Sequence, residues 1–178
     1  MIIYLYKSNI TKIMPEERPK LQIIHTNTDL LMEITGWILL VMVWFIVLKA
    51  YNSLPDIIPT HYGANGKADG HGPKVSILLL PAISTIAYIG MTILNKYPHI
   101  FNYPTAITKE NALKQYTMAT RMIRVLKLLI VVLFGVIALV TLRNVKTGQE
   151  DLGAAFLPAS MLLIFVPVAY FTIKSLKK

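Results

Sequence analysis

The chain contains no cysteine, which excludes disulfide bonds, thiolate metal sites and cysteine nucleophiles. Charge is also scarce, since 15% of the 178 residues are charged while 54% are hydrophobic. That balance lies outside the usual range of soluble domains, and the length allows a single domain. So much apolar surface requires a solvent other than water, and we expect the lipid bilayer to be the main partner of this chain.

Runs without a charged residue identify four candidate membrane-spanning helices. Two of them, 75–95 and 152–173, reach the roughly 20 residues that cross a hydrocarbon core of about 30 Å. The other two, 34–48 and 128–142, have 15 residues each and must borrow length from their flanks. No polar stripe recurs at helical spacing, which argues against a soluble bundle. With the flanks included, we expect spans at about 30–51, 75–96, 124–143 and 152–174.

These spans predict an all-α membrane protein, a four-transmembrane-helix bundle over residues 28–178 that follows an N-terminal tail, 1–27. Thr108 is expected to cap a helix that runs on into the third span, so that helix 3 has a cytoplasmic extension. Three prolines are expected inside spans, where each removes a helix hydrogen bond: Pro81, Pro158 and Pro167. Three basic side chains are expected to extend from span ends to the headgroups: Lys49, Lys127 and Arg143.

The distribution of basic residues predicts the orientation. The side that holds both termini and the second connection carries 13 Lys and Arg residues, and the opposite side carries 5. Because cytoplasmic loops are enriched in these residues, we expect a multi-pass protein of the cell (inner) membrane with both termini in the cytoplasm. The net charge of +9 lies beside apolar runs, without interleaved aromatics, and therefore does not indicate nucleic-acid binding.

The N-terminus lacks the pattern of a cleaved signal peptide. Met14, just before a charged stretch, is an alternative to Met1 as the initiating residue.

The most informative segment is 54–74, LPDIIPTHYGANGKADGHGPK, which we expect on the extracytoplasmic side. Pro55 and Pro59 restrict the backbone at its entry. Asn65-Gly66 and Asp69-Gly70 are both turn signals. The sequence therefore predicts a structured extracytoplasmic loop between helices 1 and 2.

Two interpretations of the polar side chains in this loop remain open. His61, Asp69 and His71 could converge on a divalent metal, although their spacing matches no metalloenzyme signature. The alternative, which we favour, is a hydrogen-bonded network in which Asp56 or Asp69 accepts from loop amides. In that network Lys74 lies at the membrane surface, and no cofactor is expected.

The same loop carries a family pattern: Leu-Pro-Asp, a proline three residues later, His-aromatic, and then Gly, Asp and Lys at intervals. This pattern resembles domain-of-unknown-function family 1648, a bacterial membrane family related to the N-terminal part of the SdpI immunity protein. The segment 101–124, FNYPTAITKENALKQYTMATRMIR, resembles a second stretch found in many compact members. The matching positions are Leu54, Pro55, Asp56, Pro59, His61, Tyr62, Gly66, Asp69 and Lys74. All of them except Leu54 are taken as candidate binding or loop-structuring residues.

The resemblance implies a role in immunity or signalling. SdpI-like proteins protect a membrane against a secreted antimicrobial peptide and can tether a cytosolic repressor. The present chain departs from SdpI in having four expected spans, without the additional C-terminal membrane region.

The sequence is compatible with three candidate functions. The first is a binding, sensing or immunity-type protein that uses loop 54–74 to recognise a peptide, a lipid, a cell-wall ligand or a protein partner. The second is a small transporter or channel subunit, against which stands the lack of a charge deep within any of the four uncharged runs. The third is a membrane metalloenzyme using His61, Asp69 and His71. The sequence contains no recognised catalytic motif, names no ligand and leaves oligomerisation open.

Overall fold

A computed structural model of the protein describes residues 18–177. The first 17 residues of the expected N-terminal tail, Met14 among them, lie outside the described residues. We number the elements in chain order. They are helix α1 (Asn27–Tyr51), strand β1 (Ile57–Tyr62), strand β2 (Ala68–Pro73), a 3₁₀ segment (Lys74–Leu78), helix α2 (Leu79–Leu94), a 3₁₀ turn (Pro98–Ile100), helix α3 (Ala112–Thr147) and helix α4 (Phe156–Leu176).

Four helices of the described part are long and apolar enough to cross a membrane, with the 3₁₀ segment extending α2. Their large apolar side chains remain mostly exposed in the isolated chain; Phe45, Ile86 and Phe165 are 63%, 73% and 61% exposed. Helix α4 buries Ser175 alone. Such outward apolar surface is stable only in lipid. The predicted all-α, four-helix membrane architecture is confirmed.

Helix α3 is the axis of the bundle. Its 36 residues correspond to about 54 Å of helix, well beyond a hydrocarbon core of about 30 Å. The excess length lies at its N-terminal end, as the sequence predicted. Helices α1, α2 and α4 all pack against it. Near its C-terminal end the main apolar core collects Val43, Val47, Leu54, Ile58, Ile77, Ala138 and Leu142.

The start of α3 differs from the prediction that Thr108 caps it. The helix begins at Ala112, and the side chain of Asn111 accepts from the Thr108 N–H at 2.9 Å and donates to the Ala106 carbonyl at 2.8 Å. Asn111 therefore holds the chain in a turn before the helix. Glu110 lies in that turn, where a hydrogen bond from the Thr108 side chain holds the pKa of its carboxyl below the usual value.

Two of the three prolines lie at helix starts instead of helix interiors. Pro81 is the third residue of α2, and Pro158 is the third residue of α4. The first turn of a helix has no internal acceptor for its N–H groups, so a proline there removes no hydrogen bond. The predicted disruption is therefore wrong for these two, and Pro167 is the proline that lies inside a helix.

Gly36 allows α1 and α2 to approach each other closely. A Cβ atom at this position would overlap the ring of Tyr88, which is fully buried and hydrogen-bonded to the Glu33 carbonyl at 2.9 Å. Tyr88 also packs edge-on against Trp37. The contact between α1 and α2 thus depends on the absence of a side chain at Gly36.

We expect Gly36→Ala to lower the free energy of unfolding by about 1–3 kcal/mol, since the rigid ring must shift. Unfolding in detergent measures the change. Gly90→Ala is the matched control, because a Cβ there meets nothing within 4 Å. Equal stability of the two variants would contradict this account of the α1–α2 contact.

Candidate functional site

Segment 54–74 folds as a β-hairpin. Strands β1 and β2 pair antiparallel, with Ile58 opposite Gly72 and Tyr62 opposite Ala68. Asn65 and Gly66 form the turn: the Asn65 side chain accepts from the Lys67 N–H at 3.0 Å, and Gly66 has φ +82°. The other expected turn is wrong, because Asp69-Gly70 lies within β2. The sequence predicted an ordered loop here but not its strands.

The inner face of the hairpin is fixed on the helix ends. Ile58 is 1% exposed and packs in the main core with Val47 and Leu54. The hydroxyl of Tyr62 hydrogen-bonds to the Thr141 hydroxyl of α3 at 2.9 Å. Pro59 is buried as well, whereas Pro55 is exposed. Three of the predicted positions, Leu54, Pro59 and Tyr62, therefore hold the hairpin in place.

The connection between α3 and α4 binds the hairpin from the other side. The Ala68 N–H donates to the Glu150 carbonyl and the Leu152 N–H to the Gly66 carbonyl, both at 2.8 Å. His71 and Glu150 pair through their side chains at 2.9 Å. The first and third connections therefore form one rigid extramembrane platform, at the end of the bundle opposite the described terminal segments.

Two polar pairs lie on the outer surface of this platform. The ring of His61 contacts the Asp69 carboxylate through Nδ1, with the two side chains 72% and 55% exposed. Lys74 and Asp56 form an ion pair at 3.1 Å, and the Asp56 carbonyl accepts from the Lys74 N–H at 2.9 Å. These four predicted residues come together as two separate pairs, His61 with Asp69 and Lys74 with Asp56. The two carboxylates accept from a histidine and a lysine instead of from loop amides.

The two histidines of the metal hypothesis do not converge. His61 pairs with Asp69, and His71 pairs with Glu150. Within residues 18–177 no group of three or more His, Cys, Asp or Glu side chains could hold a metal ion. The described geometry therefore gives the metal hypothesis no support.

An apolar cavity of about 280 Å³ opens between the hairpin and the helices. Residues of α2 and α3 line one side of the cavity, and residues of β1 line the other. The lining residues include Ile58, Pro59, Tyr62, Leu80, Ile83 and Thr141. The platform thus combines an exposed polar surface with an apolar recess at the level where the helices end.

Residues 38–85 match the model of DUF1648, a domain of unknown function. This segment is thus similar to the DUF1648 domain. It contains most of α1, the whole hairpin and the first part of α2. The DUF1648 resemblance seen in the sequence is confirmed, and the second resembling stretch, 101–124, lies outside the matched residues.

An uncharacterized protein of the archaeon Archaeoglobus fulgidus is 35% identical over 75 residues, which cover 38% of this chain and 41% of the relative. The match therefore spans less than half the length of that relative. No solved structure matches the chain.

The sequence did not predict a buried ion cluster at the other end of the bundle, formed by Asp29 and Glu33 of α1 with Arg121, Arg124 and Lys127 of α3. Asp29 bridges Arg121 and Arg124, each at 3.4 Å. Glu33 binds Arg124 at 3.3 Å through one carboxylate oxygen and Lys127 at 2.5 Å through the other. The Asp29 and Arg124 side chains are each 3% exposed.

The expectation that the Lys127 amine extends to the headgroups is wrong. Its side chain is 1% exposed and also donates to the Thr92 hydroxyl at 2.7 Å. The amine lies 4.4 Å from the centre of the Tyr88 ring. Lys49 and Arg143 are exposed, and their extension to the headgroups stays a prediction. The cluster was detectable in principle, because Asp29 and Glu33 lie four residues apart and the three basic residues recur every three, which places each set on one helix face.

We expect Glu33→Leu to destabilise the protein by about 3–5 kcal/mol, because it leaves the Lys127 ammonium buried without its carboxylate. Combining Glu33→Leu with Lys127→Met removes both charges and is expected to recover most of that loss. Unfolding of both variants in detergent provides the test. A double variant no more stable than Glu33→Leu would show that the pair is not what the single change disrupts.

Gly66→Ala is expected to loosen the platform. Gly66 combines a positive φ with close approach to the Gly153 backbone, where a Cβ would overlap. Gly148→Ala is the control, since Gly148 has φ +68° but open space around it. Hydrogen exchange at the Ala68 and Leu152 amides should accelerate in the first variant and stay near wild type in the second. Equal exchange in both would mean that the Gly66–Gly153 approach does not hold the platform.

Proposed function

We propose that this chain is a binding or sensing protein of the membrane, of the immunity type, which uses the DUF1648 hairpin to capture an amphiphilic peptide or protein segment at the extracytoplasmic surface. The observation that carries the proposal is an exposed His61–Asp69 pair on a platform that also contains an apolar recess. A ligand with one apolar and one charged face would match both features.

The orientation part of the proposal rests on charge. The two connections of the platform carry few of the Lys and Arg residues of the chain, and the opposite end carries most of them. The positive-inside tendency then directs the hairpin outward and both termini toward the cytoplasm. A sensor or immunity protein needs its recognition surface on the side from which a secreted peptide arrives.

The platform divides its residues between support and recognition. Tyr62, Pro59 and Gly66 hold the hairpin on the helices, and their side chains or backbone are already engaged. His61, Asp69 and Asp56 make only paired surface contacts, with the Asp56 side chain 93% exposed. Exposed ion pairs contribute little to stability, so a ligand can replace these partners at low cost. We therefore assign recognition to the exposed carboxylates and His61.

A small transporter or channel subunit is the second candidate, favoured by the buried ion cluster. Charges between spanning helices often mark ion or proton pathways. Here the Glu33 carboxylate is shared between Lys127 and Arg124. Proton or cation flux above that of empty liposomes, lost on combining Glu33→Leu with Lys127→Met, would support transport. Flux equal to that of empty liposomes would exclude it.

Binding of a fluorescent, lysine- and leucine-rich amphipathic peptide to the protein in nanodiscs tests the recognition proposal. We expect Asp69→Asn to weaken the protein-dependent binding about tenfold, because one hydrogen bond between charged groups is lost. Glu110→Gln is the control, an exposed carboxylate at the opposite end of the bundle.

Empty nanodiscs give the binding due to lipid alone. Binding to the protein no greater than to empty nanodiscs, or equal weakening by Asp69→Asn and Glu110→Gln, would contradict the proposed recognition surface.

A further inference from the structure

A groove with basic walls lies between α1 and α3 at the hairpin end of the bundle. Its volume is about 610 Å³. The basic residues that line it are Lys49, Arg143 and Lys146, and its apolar lining includes Phe45, Ile46 and Leu142. No carboxylate lines it. We call this feature the basic groove.

The ends of two helices bring the three basic side chains together. Helices α1 and α3 both finish at the hairpin end, and Lys49 and Lys146 lie in their last turns. Arg143 precedes Lys146 by three residues, so the two side chains share one face of α3. All three residues are exposed. A ligand in the basic groove can therefore meet positive charge from both helices.

These three cations have no carboxylate partner among residues 18–177. The described carboxylates at this end of the bundle are engaged elsewhere: Asp56 with Lys74, Asp69 with His61, Glu150 with His71, and Asp151 with the Gly153 amide. The charge of the basic groove is thus not balanced by side chains of the described part of the chain.

The helix ends supply only part of the missing negative charge. Each helix C-terminus carries roughly half an elementary negative charge, so α1 and α3 together offset about one of the three cations. About two positive charges remain. At the boundary of a bilayer, headgroups of anionic lipids are a concentrated source of negative charge, and they attract such basic clusters. The basic groove is therefore complementary in charge to an anionic headgroup.

An apolar recess of about 160 Å³ continues the basic groove along the same two helices. The two features share the side chains of Ile46 and Leu139. Every residue that lines the recess is apolar, and Met42, Val132 and Val136 are among them. A small soluble anion has no group that matches this recess, whereas a lipid acyl chain does.

We propose that the groove between α1 and α3 binds one anionic phospholipid, with its phosphate among Lys49, Arg143 and Lys146 and an acyl chain in the apolar recess. Basic pockets between spanning helices are a known type of anionic-lipid site. A second copy of the chain matches the groove less well, because a two-fold symmetric contact would bring the same three cations against their copies. The bound lipid would link the ends of α1 and α3 beneath the hairpin.

Native mass spectrometry of the detergent-solubilised full chain, titrated with phosphatidylglycerol or phosphatidylcholine, tests the proposal. We expect one phosphatidylglycerol to bind at least about tenfold more tightly than phosphatidylcholine. Arg143→Gln should lower that preference about fivefold, and Arg143→Lys should retain it. Combining Lys49→Gln, Arg143→Gln and Lys146→Gln should abolish it. Lys67→Gln is the matched control, because Lys67 is an exposed lysine at the same end that does not line the groove.

Three outcomes would overturn the site. The first is equal affinity for the two lipids, or the same loss of preference in Lys67→Gln as in Arg143→Gln. The second is complete displacement of phosphatidylglycerol by millimolar glycerol 3-phosphate, which would show that the acyl chain contributes nothing to binding. The third is a dimer of the chain that excludes the lipid, which would identify a second copy as the occupant of the groove.

Discussion

The use of lipid as the solvent for its helices is the constraint on which the rest of this structure depends. The helices α1, α2 and α4 turn most of their apolar side chains outward, so the bundle has only a narrow core along α3. In water that surface would drive aggregation, whereas in a bilayer it costs nothing to leave it facing the acyl chains. Helix association must then come from close packing and polar contacts, and the contacts observed are of these kinds: Gly36 against the Tyr88 ring, the buried ion cluster, and the Tyr62–Thr141 hydrogen bond.

These polar contacts sit at the two ends of the bundle and give each end a different character. At one end, the hairpin and the α3–α4 connection share backbone hydrogen bonds and form a platform with exposed histidine and carboxylate side chains. At the other end, carboxylates of α1 neutralise most of the positive charge of α3 inside the bundle. We propose that the first end recognises ligands outside the cell. Helix α3 joins the two ends as a single element.

The sequence predicted the features that depend on composition along the chain, and it missed those that depend on which segments meet. Four uncharged runs were sufficient for the four helices, and the helix start expected at Thr108 predicted the extension of α3, which begins at Ala112. The hairpin was missed as a hairpin, although Asn65-Gly66 is a hairpin signal and the residues before it, IIPTHY, favour a strand. The residues of β2, ADGHGP, include no β-branched or large aromatic side chain, so the second strand had no signal of its own. The contact of His71 with Glu150, and of Asp29 with Arg124, joins residues 79 and 95 positions apart, which no local pattern reveals. Lys127 was misjudged because a lysine at the end of an apolar run has the same local sequence whether it reaches the headgroups or a buried glutamate.

The central claim is that the hairpin platform lies on the extracytoplasmic side of the membrane and that the second connection lies on the cytoplasmic side. The absence of cysteine permits a direct test, because any single introduced thiol is the only one in the chain. Ala64→Cys places that thiol at the exposed tip of the hairpin, and Ala106→Cys places it in the exposed second connection. In intact cells, a membrane-impermeant maleimide should label position 64, and it should label position 106 only after the membrane is permeabilised. Labelling of both positions in intact cells, or of position 106 alone, would contradict the account.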